Sequence, residues 1–201
     1  MILKIKNKCV NSVIFKRGLA VLTICIIVSS VYGVQWKTHG SRIEDWRELG
    51  LETGDIIFVD LFEGWCHGGF WDHLAIYVGN QPYYGKSVVE ATFNDGISIT
   101  SASSFFSRDE PAKMAVLRLA AGDGNDERIE EAVDYALEQV GKPFDYTAHT
   151  TTVPHKINDK KLHCTELVWR SYNAAGIDID SNSGILVYPD DIFFSSKLKP
   201  V

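Results

Sequence analysis

The chain has 201 residues, 45% of them hydrophobic, with 26 acidic against 20 basic side chains and a formal charge of −6. That length supports one domain with a proper core and not two comfortable ones. The acidic balance argues against nucleic acid and against anionic lipid surfaces as partners.

The first residues carry Lys4, Lys6, Lys8, Lys16 and Arg17 with no acid. The apolar run Gly18 to Val31 follows, and Ser29-Ser30-Val31-Tyr32-Gly33 ends it. This is the layout of a secretory signal cleaved after Gly33, or of an uncleaved membrane anchor if Val10 to Phe15 lengthen the apolar stretch. Residues 1–33 are therefore expected to be a signal peptide or anchor, and residues 34–201 an exported, monomeric domain. Removing five of the 20 basic residues and none of the 26 acidic ones takes the formal charge from −6 to −11. Of the four cysteines, Cys9 and Cys25 lie in this leader. Cys25 departs from a lipoprotein box because bulky Ile24 precedes it. Cys66 and Cys164 remain, too few for a disulfide scaffold.

Asp45 to Leu49 predict a helical turn or two. Asp55 to Asp60 read as a buried strand opened by the turn Thr53-Gly54-Asp55. A loop rich in glycine and aromatic residues, Glu63 to Trp71, leads to a second strand, His73 to Val78, closed by Gly79-Asn80. Ser87 to Phe93 and Gly96 to Thr100 predict two more strands around the turn Asn94-Asp95-Gly96. Ser101 to Arg108 fit a short helix or a loop, and Ala112 to Leu119 another strand. Short turns between strands favour an antiparallel sheet. Ile129, Ala132, Val133, Ala136, Leu137 and Val140 then form an apolar stripe at helical spacing, ended by Gly141 and Pro143. After a polar connection over 143–162, Leu167, Val168, Tyr172 and Ala175 recur at helical steps, with Cys164 in the first turn and Gly176 as a stop. Tyr188 to Phe194 predict a capped terminal helix. Strands first and helices after them give an α+β fold.

Cys164 at a helix N-terminus is a candidate nucleophile. Unpaired N–H groups and partial positive charge favour its thiolate and can bind an oxyanion. His73 would take the thiol proton, and Glu90, which interrupts an apolar strand, would hold the imidazole in one tautomer. Trp65 and Trp71 are candidates for lining a binding groove, against the alternative of a loop packed on the sheet. Cys66-His67 and His163-Cys164 together offer four metal donors, but adjacent ligands are an awkward spacing for zinc, so no metal or other cofactor is expected. A Cys66–Cys164 disulfide is a further alternative, one that would silence the thiol. His39, His149 and His155 fall in polar segments and read as solvated. Glu166 in the first helical turn suits the helix dipole.

Taken together, Gly54-Asp55-Ile56-Ile57-Phe58, His73-Leu74-Ala75-Ile76-Tyr77-Val78-Gly79, Val89-Glu90-Ala91 and Cys164-Thr165-Glu166-Leu167-Val168 resemble the circularly permuted NlpC/P60 group, the YiiX/YaeF-like amidases. The resemblance covers roughly residues 51–196, with Gly141 to Asp145 and Tyr188 to Asp191 as flanking segments. It implies a permuted papain-like fold, an antiparallel sheet packed against the cysteine-bearing helix, and a Cys-His-Glu hydrolase on Cys164, His73 and Glu90. The implied substrate is a peptide or amide of the cell envelope. Lipid acyl hydrolysis or acyl transfer on the same fold, and a binding module that has lost catalysis, stand as alternatives. Phe144 departs from the tyrosine commoner in the group, which leaves Tyr146 as a substitute hydroxyl at the substrate site. Nothing carries over to His163.

Overall fold

The computed structural model describes residues 46–60, 70–108, 113–122, 126–146 and 159–201. The leader segment, the loop carrying Trp65, Cys66 and His67, and the positions of His39, His149 and His155 lie outside the described residues. Among the described residues no helix is long and apolar enough to cross a membrane.

The hydrophobic runs form the sheet that their alternation predicts. The strands are β1 (Ile56–Asp60), β2 (His73–Gln81), β3 (Gly85–Thr92), β4 (Gly96–Ser101), β5 (Lys113–Leu119) and β6 (Leu198–Pro200). They pair in the order β4-β3-β2-β1-β5-β6, antiparallel at every ladder. Trp46–Leu49 make one 3-10 turn. The helices are α1 (Ala102–Phe106), α2 (Asp126–Glu138), α3 (Cys164–Ala174) and α4 (Pro189–Phe193).

Two elements differ from their sequence pattern. β2 runs on through Gly79 and Asn80, where the strand was expected to close, after a register shift between Tyr77 and Gly79. Gly79 has φ +70, so the chain bulges there and rejoins the ladder instead of turning away. β6 is a three-residue edge strand too short to show periodicity, and it pairs Leu117 with Pro200.

Residues alternate between the two faces of the sheet. Ile57, Val59, Ala75, Tyr77, Val88 and Met114 pack with Ala102 and Phe105 of α1, and Trp46, Leu51, Phe106 and Val116 close over them. α3 packs on β2 and β3, and α2 lies along α3. At Gly54 (φ +91) a Cβ would stand 2.6 Å from Cγ2 of Ile129, so only glycine lets the start of β1 approach α2 this closely.

One ion pair ties the middle of the sheet together. Asp55 is fully buried, and Arg118 of β5 meets both of its oxygens, with Nε at 2.7 Å from Oδ1 and Nη2 at 2.9 Å from Oδ2. Burial raises the Asp55 carboxyl, and Arg118 works against that shift. Arg118→Met would strand a buried carboxyl, so the unfolding free energy measured in urea is expected to drop by about 3 kcal/mol. A drop within ±0.5 kcal/mol would show that the pair contributes nothing.

Candidate active site

The site is built from β3 outward. Val88, Val89, Glu90 and Ala91 are all buried, so Glu90 places a carboxylate where an apolar side chain would ordinarily sit. The antiparallel register sets Glu90 opposite Ala75, which makes His73, two residues away, its diagonal neighbour on the same side of the sheet. Nε2 of His73 lies 2.9 Å from Oε2 of Glu90. Two further donors satisfy the carboxylate. The Thr100 hydroxyl donates to Oε1 at 2.6 Å, and the Arg108 guanidinium bonds both oxygens, Nη1 reaching Oε2 at 2.6 Å. Burial pushes the Glu90 carboxyl up, but His73, Arg108 and Thr100 together hold it at about 2. The imidazole of His73 stands 6.4 Å from the Phe105 ring, and the Arg108 guanidinium lies over that same ring.

Cys164 arrives on α3. Leu167, Val168, Trp169 and Tyr172 are buried, and the Tyr172 hydroxyl donates to the Gly54 carbonyl at the foot of β1. The helix begins with His163 as an extended N-cap (φ −93, ψ 173), which makes Cys164 its first residue. There the cysteine N–H has no acceptor within the helix. The Cys164 side chain is buried and its thiol is free, with Sγ 3.9 Å from the Thr165 hydroxyl oxygen, and the influence of His73 and His163 reaches it. Nε2 of His73 faces Glu90, which leaves Nδ1 as the ring nitrogen not engaged by the carboxylate.

Burial disfavours both charges of this pair, yet the hydrogen bonds outweigh it. The Cys164 thiol is held well below its ordinary value by His163 and His73. His73 is raised to about 10 by Cys164 and Glu90. Both shifts run in the direction of a thiolate beside an imidazolium, with a carboxylate behind it. Such a pair supplies a nucleophile and a proton donor at once.

Three residues relevant to the site carry no local sequence signal. Arg108 follows α1 and reaches Glu90 only because α1 folds back over β3. His163, named in the sequence only as a possible metal donor, is the buried N-cap of α3 and lowers the Cys164 thiol. Glu166, expected to serve the helix dipole, is fully buried. Its Oε1 bonds Nε of Arg170 at 3.0 Å, and Oε2 has no hydrogen-bond partner among the described residues. Burial raises this carboxyl to about 7, against the charges of His163 and Arg170.

The expected substrate-binding residues fare differently. Trp71 is 1% exposed, wedged between Phe58 (ring centroids 5.7 Å apart) and Phe193 (5.2 Å), so it belongs to the core and not to a groove. Tyr146 is exposed and stacks with Phe93 and Phe144, but its hydroxyl donates to the Phe93 carbonyl at 2.5 Å. Trp65 lies outside the described residues, as does Cys66, the suggested disulfide partner. Among the described residues no three His, Cys, Asp or Glu side chains are placed to hold a metal ion.

Residues 50–187 match the family described as permuted papain-like amidase enzyme, YaeF/YiiX, C92 family. The uncharacterized protein YycO of Bacillus subtilis (strain 168) is 27% identical over 145 residues, which are 71% of this chain and 52% of YycO. The chain thus spans about half the length of the curated relative it matches. The crystal structure titled metalloprotein yiiX from Escherichia coli O157:H7 aligns with a TM-score of 0.58 at 20% identity, covering 75% of this chain and 96% of that one. That likeness shows the shared fold.

Glu166 yields a pH signature. Its folded value lies above the unfolded one, so its contribution favours the fold most below pH 4.5 and is lost as pH rises through about 7. Relative to Glu166→Gln, the wild-type unfolding free energy in urea is expected to fall by about 3 kcal/mol across that window. Parallel curves for the two proteins would contradict this.

Proposed function

The chain belongs to the permuted papain-like amidases of the YaeF/YiiX group, and from that premise we propose that it cleaves an amide bond with Cys164 as nucleophile, His73 as acid and base, and Glu90 as the residue that orients His73. The observation that carries this reading is His73 held by the buried Glu90 carboxylate at 2.9 Å, with Cys164 and His73 shifting each other toward thiolate and imidazolium. The proposed substrate is a peptide or amide of the cell envelope, met after export. Export rests on the signal-like pattern of residues 1–33.

The thiolate attacks the amide carbonyl carbon and forms a C–S bond. The charge passes to the carbonyl oxygen, which the Cys164 N–H receives. As the tetrahedral species collapses, the C–N bond breaks and Nδ1 of His73 gives its proton to the departing amine. His73 then takes a proton from water, the hydroxide adds to the thioester, and the C–S bond breaks to release a carboxylic acid and restore the thiolate. A binding module without chemistry would have no need for a thiol ionised by its neighbours.

The test is iodoacetamide labelling of Cys164 across pH, read by mass spectrometry. An ordinary thiol of pKa 9 is only about 0.1% ionised at pH 6. Wild type is expected to label at pH 6 within about twofold of its rate at pH 8, and His73→Ala to label at least about tenfold more slowly at pH 6. Labelling that climbs tenfold per pH unit in wild type, and is indifferent to His73, would refute the thiolate pair.

A further inference from the structure

Glu90 has two basic partners, and both reach the same oxygen. Nε2 of His73 lies 2.9 Å from Oε2, and Nη1 of Arg108 lies 2.6 Å from that same atom. Nη2 of Arg108 bonds Oε1 beside the Thr100 hydroxyl, and it also donates to that hydroxyl at 3.3 Å. The guanidinium lies over the Phe105 ring, 5.3 Å from its centroid. Arg108 is therefore held by a carboxylate, a hydroxyl and a ring, although its side chain is 42% exposed and that of Glu90 is fully buried. Orienting an imidazole takes one carboxylate oxygen, and a forked cation on the same carboxylate is not needed for the tautomer. What the fork changes is the negative charge that His73 meets.

We propose that Arg108 is a positioning residue for the reaction, acting through Glu90: by sharing Oε2 it limits how firmly the carboxylate holds a proton on His73. This rests on His73 being the acid and base for Cys164.

The need for such a limit arises in the acyl-enzyme. The charged and titratable groups that act on His73 are Cys164 of α3 and Glu90 of β3, while Phe105 of α1 and Val59 of β1 beside it carry no charge. Glu90 in turn meets His73, Arg108 and the uncharged Thr100 hydroxyl. Once the sulfur is acylated it carries no charge, and Glu90 alone supports the imidazolium. A buried carboxylate with His73 as its only cation would draw a proton back onto the ring after the amine has left. A protonated ring cannot take a proton from water. Arg108 places a permanent positive charge on the carboxylate, so Glu90 stays ionised and paired whether or not His73 is charged. The ring is then held in both protonation states, and neither is locked.

The experiment follows the ring ¹⁵N signals of His73 across pH in the full chain carrying Cys164→Ser. The serine hydroxyl, like an acylated sulfur, bears no charge. In that background Arg108→Gln, which keeps one N–H donor and loses the charge, is expected to raise the His73 midpoint by about one pH unit. Arg108→Lys, a point charge without the fork, is expected to raise it by less than Arg108→Gln. An arginine that merely anchored α1 would, on removal, loosen the contact between His73 and Glu90. The midpoint would then fall or stand still, and either result in Arg108→Gln would overturn the proposal. If circular dichroism shows Arg108→Gln to be unfolded, Arg108→Lys decides, a rise supporting the proposal and its absence overturning it. Position 164 holds no thiol in these proteins, so the outcome is separate from that for the nucleophile. Wild-type labelling indifferent to His73 would refute the hydrolase without moving these midpoints.

Discussion

Everything at this site depends on the burial of one carboxylate. Glu90 is fully enclosed in the sheet, where an ionised side chain without partners would cost several kcal/mol. Its donors come from three separate elements: His73 from β2, Thr100 from β4 and Arg108 from the end of α1. The β2–β3–β4 register and the seating of α1 are therefore requirements of the charge, and the charge fixes the ring of His73. Held at about 2, the carboxylate favours the fold fully above pH 4.5, and that contribution is lost only as pH falls through about 2. The orienting group is thus ionised wherever the thiolate could form.

The sulfur is placed by a different kind of constraint. α3 is anchored by its apolar residues, by the Tyr172 hydroxyl on the Gly54 carbonyl, and by Nε1 of Trp169 on Asp178 at 2.9 Å. A side chain at the first position of a helix so anchored has little freedom, and the geometry it shares with His73 is in place before any substrate binds. Gly54 joins the two halves, because its carbonyl holds α3 while its N–H donates to the Tyr77 carbonyl of β2 at 2.8 Å. β2 also carries His73, so the helix and the histidine strand are tied at both ends.

Much of this was legible in the sequence, for identifiable reasons. Strands buried on both faces are continuous apolar runs, and Asp55 to Asp60 and His73 to Val78 read as such. The α2 stripe and the spacing after Cys164 gave two helices whose observed limits differ from the pattern by only a few residues. A glutamate inside Val88-Val89-Glu90-Ala91 was the strongest local anomaly, and it marks the carboxylate of the site. Trp71 was ambiguous because a glycine- and aromatic-rich loop looks alike whether it lines a groove or caps a core. Packing against Phe58 and Phe193 decides it, and neither contact is local. Arg108 was invisible for the same reason, since its role comes from where α1 comes to rest and not from spacing.

In the proposed reaction, the coupling between sulfur and imidazole also sets the timing of proton transfer. An imidazolium held at about 10 is a reluctant acid, poorly suited in itself to protonating a leaving amine. Against burial, which lowers His73, the two groups that raise it are Cys164 and Glu90, and only the second keeps its charge throughout. When the thiolate attacks, its charge moves to the carbonyl oxygen and one support of the imidazolium is withdrawn. His73 becomes a stronger acid at the moment the C–N bond must break, and in the thioester it becomes a neutral base able to activate water. When the C–S bond breaks, the thiolate returns and the imidazolium is again locked beside it. A constant carboxylate behind a variable thiolate thus lets one histidine serve as acid and base in sequence.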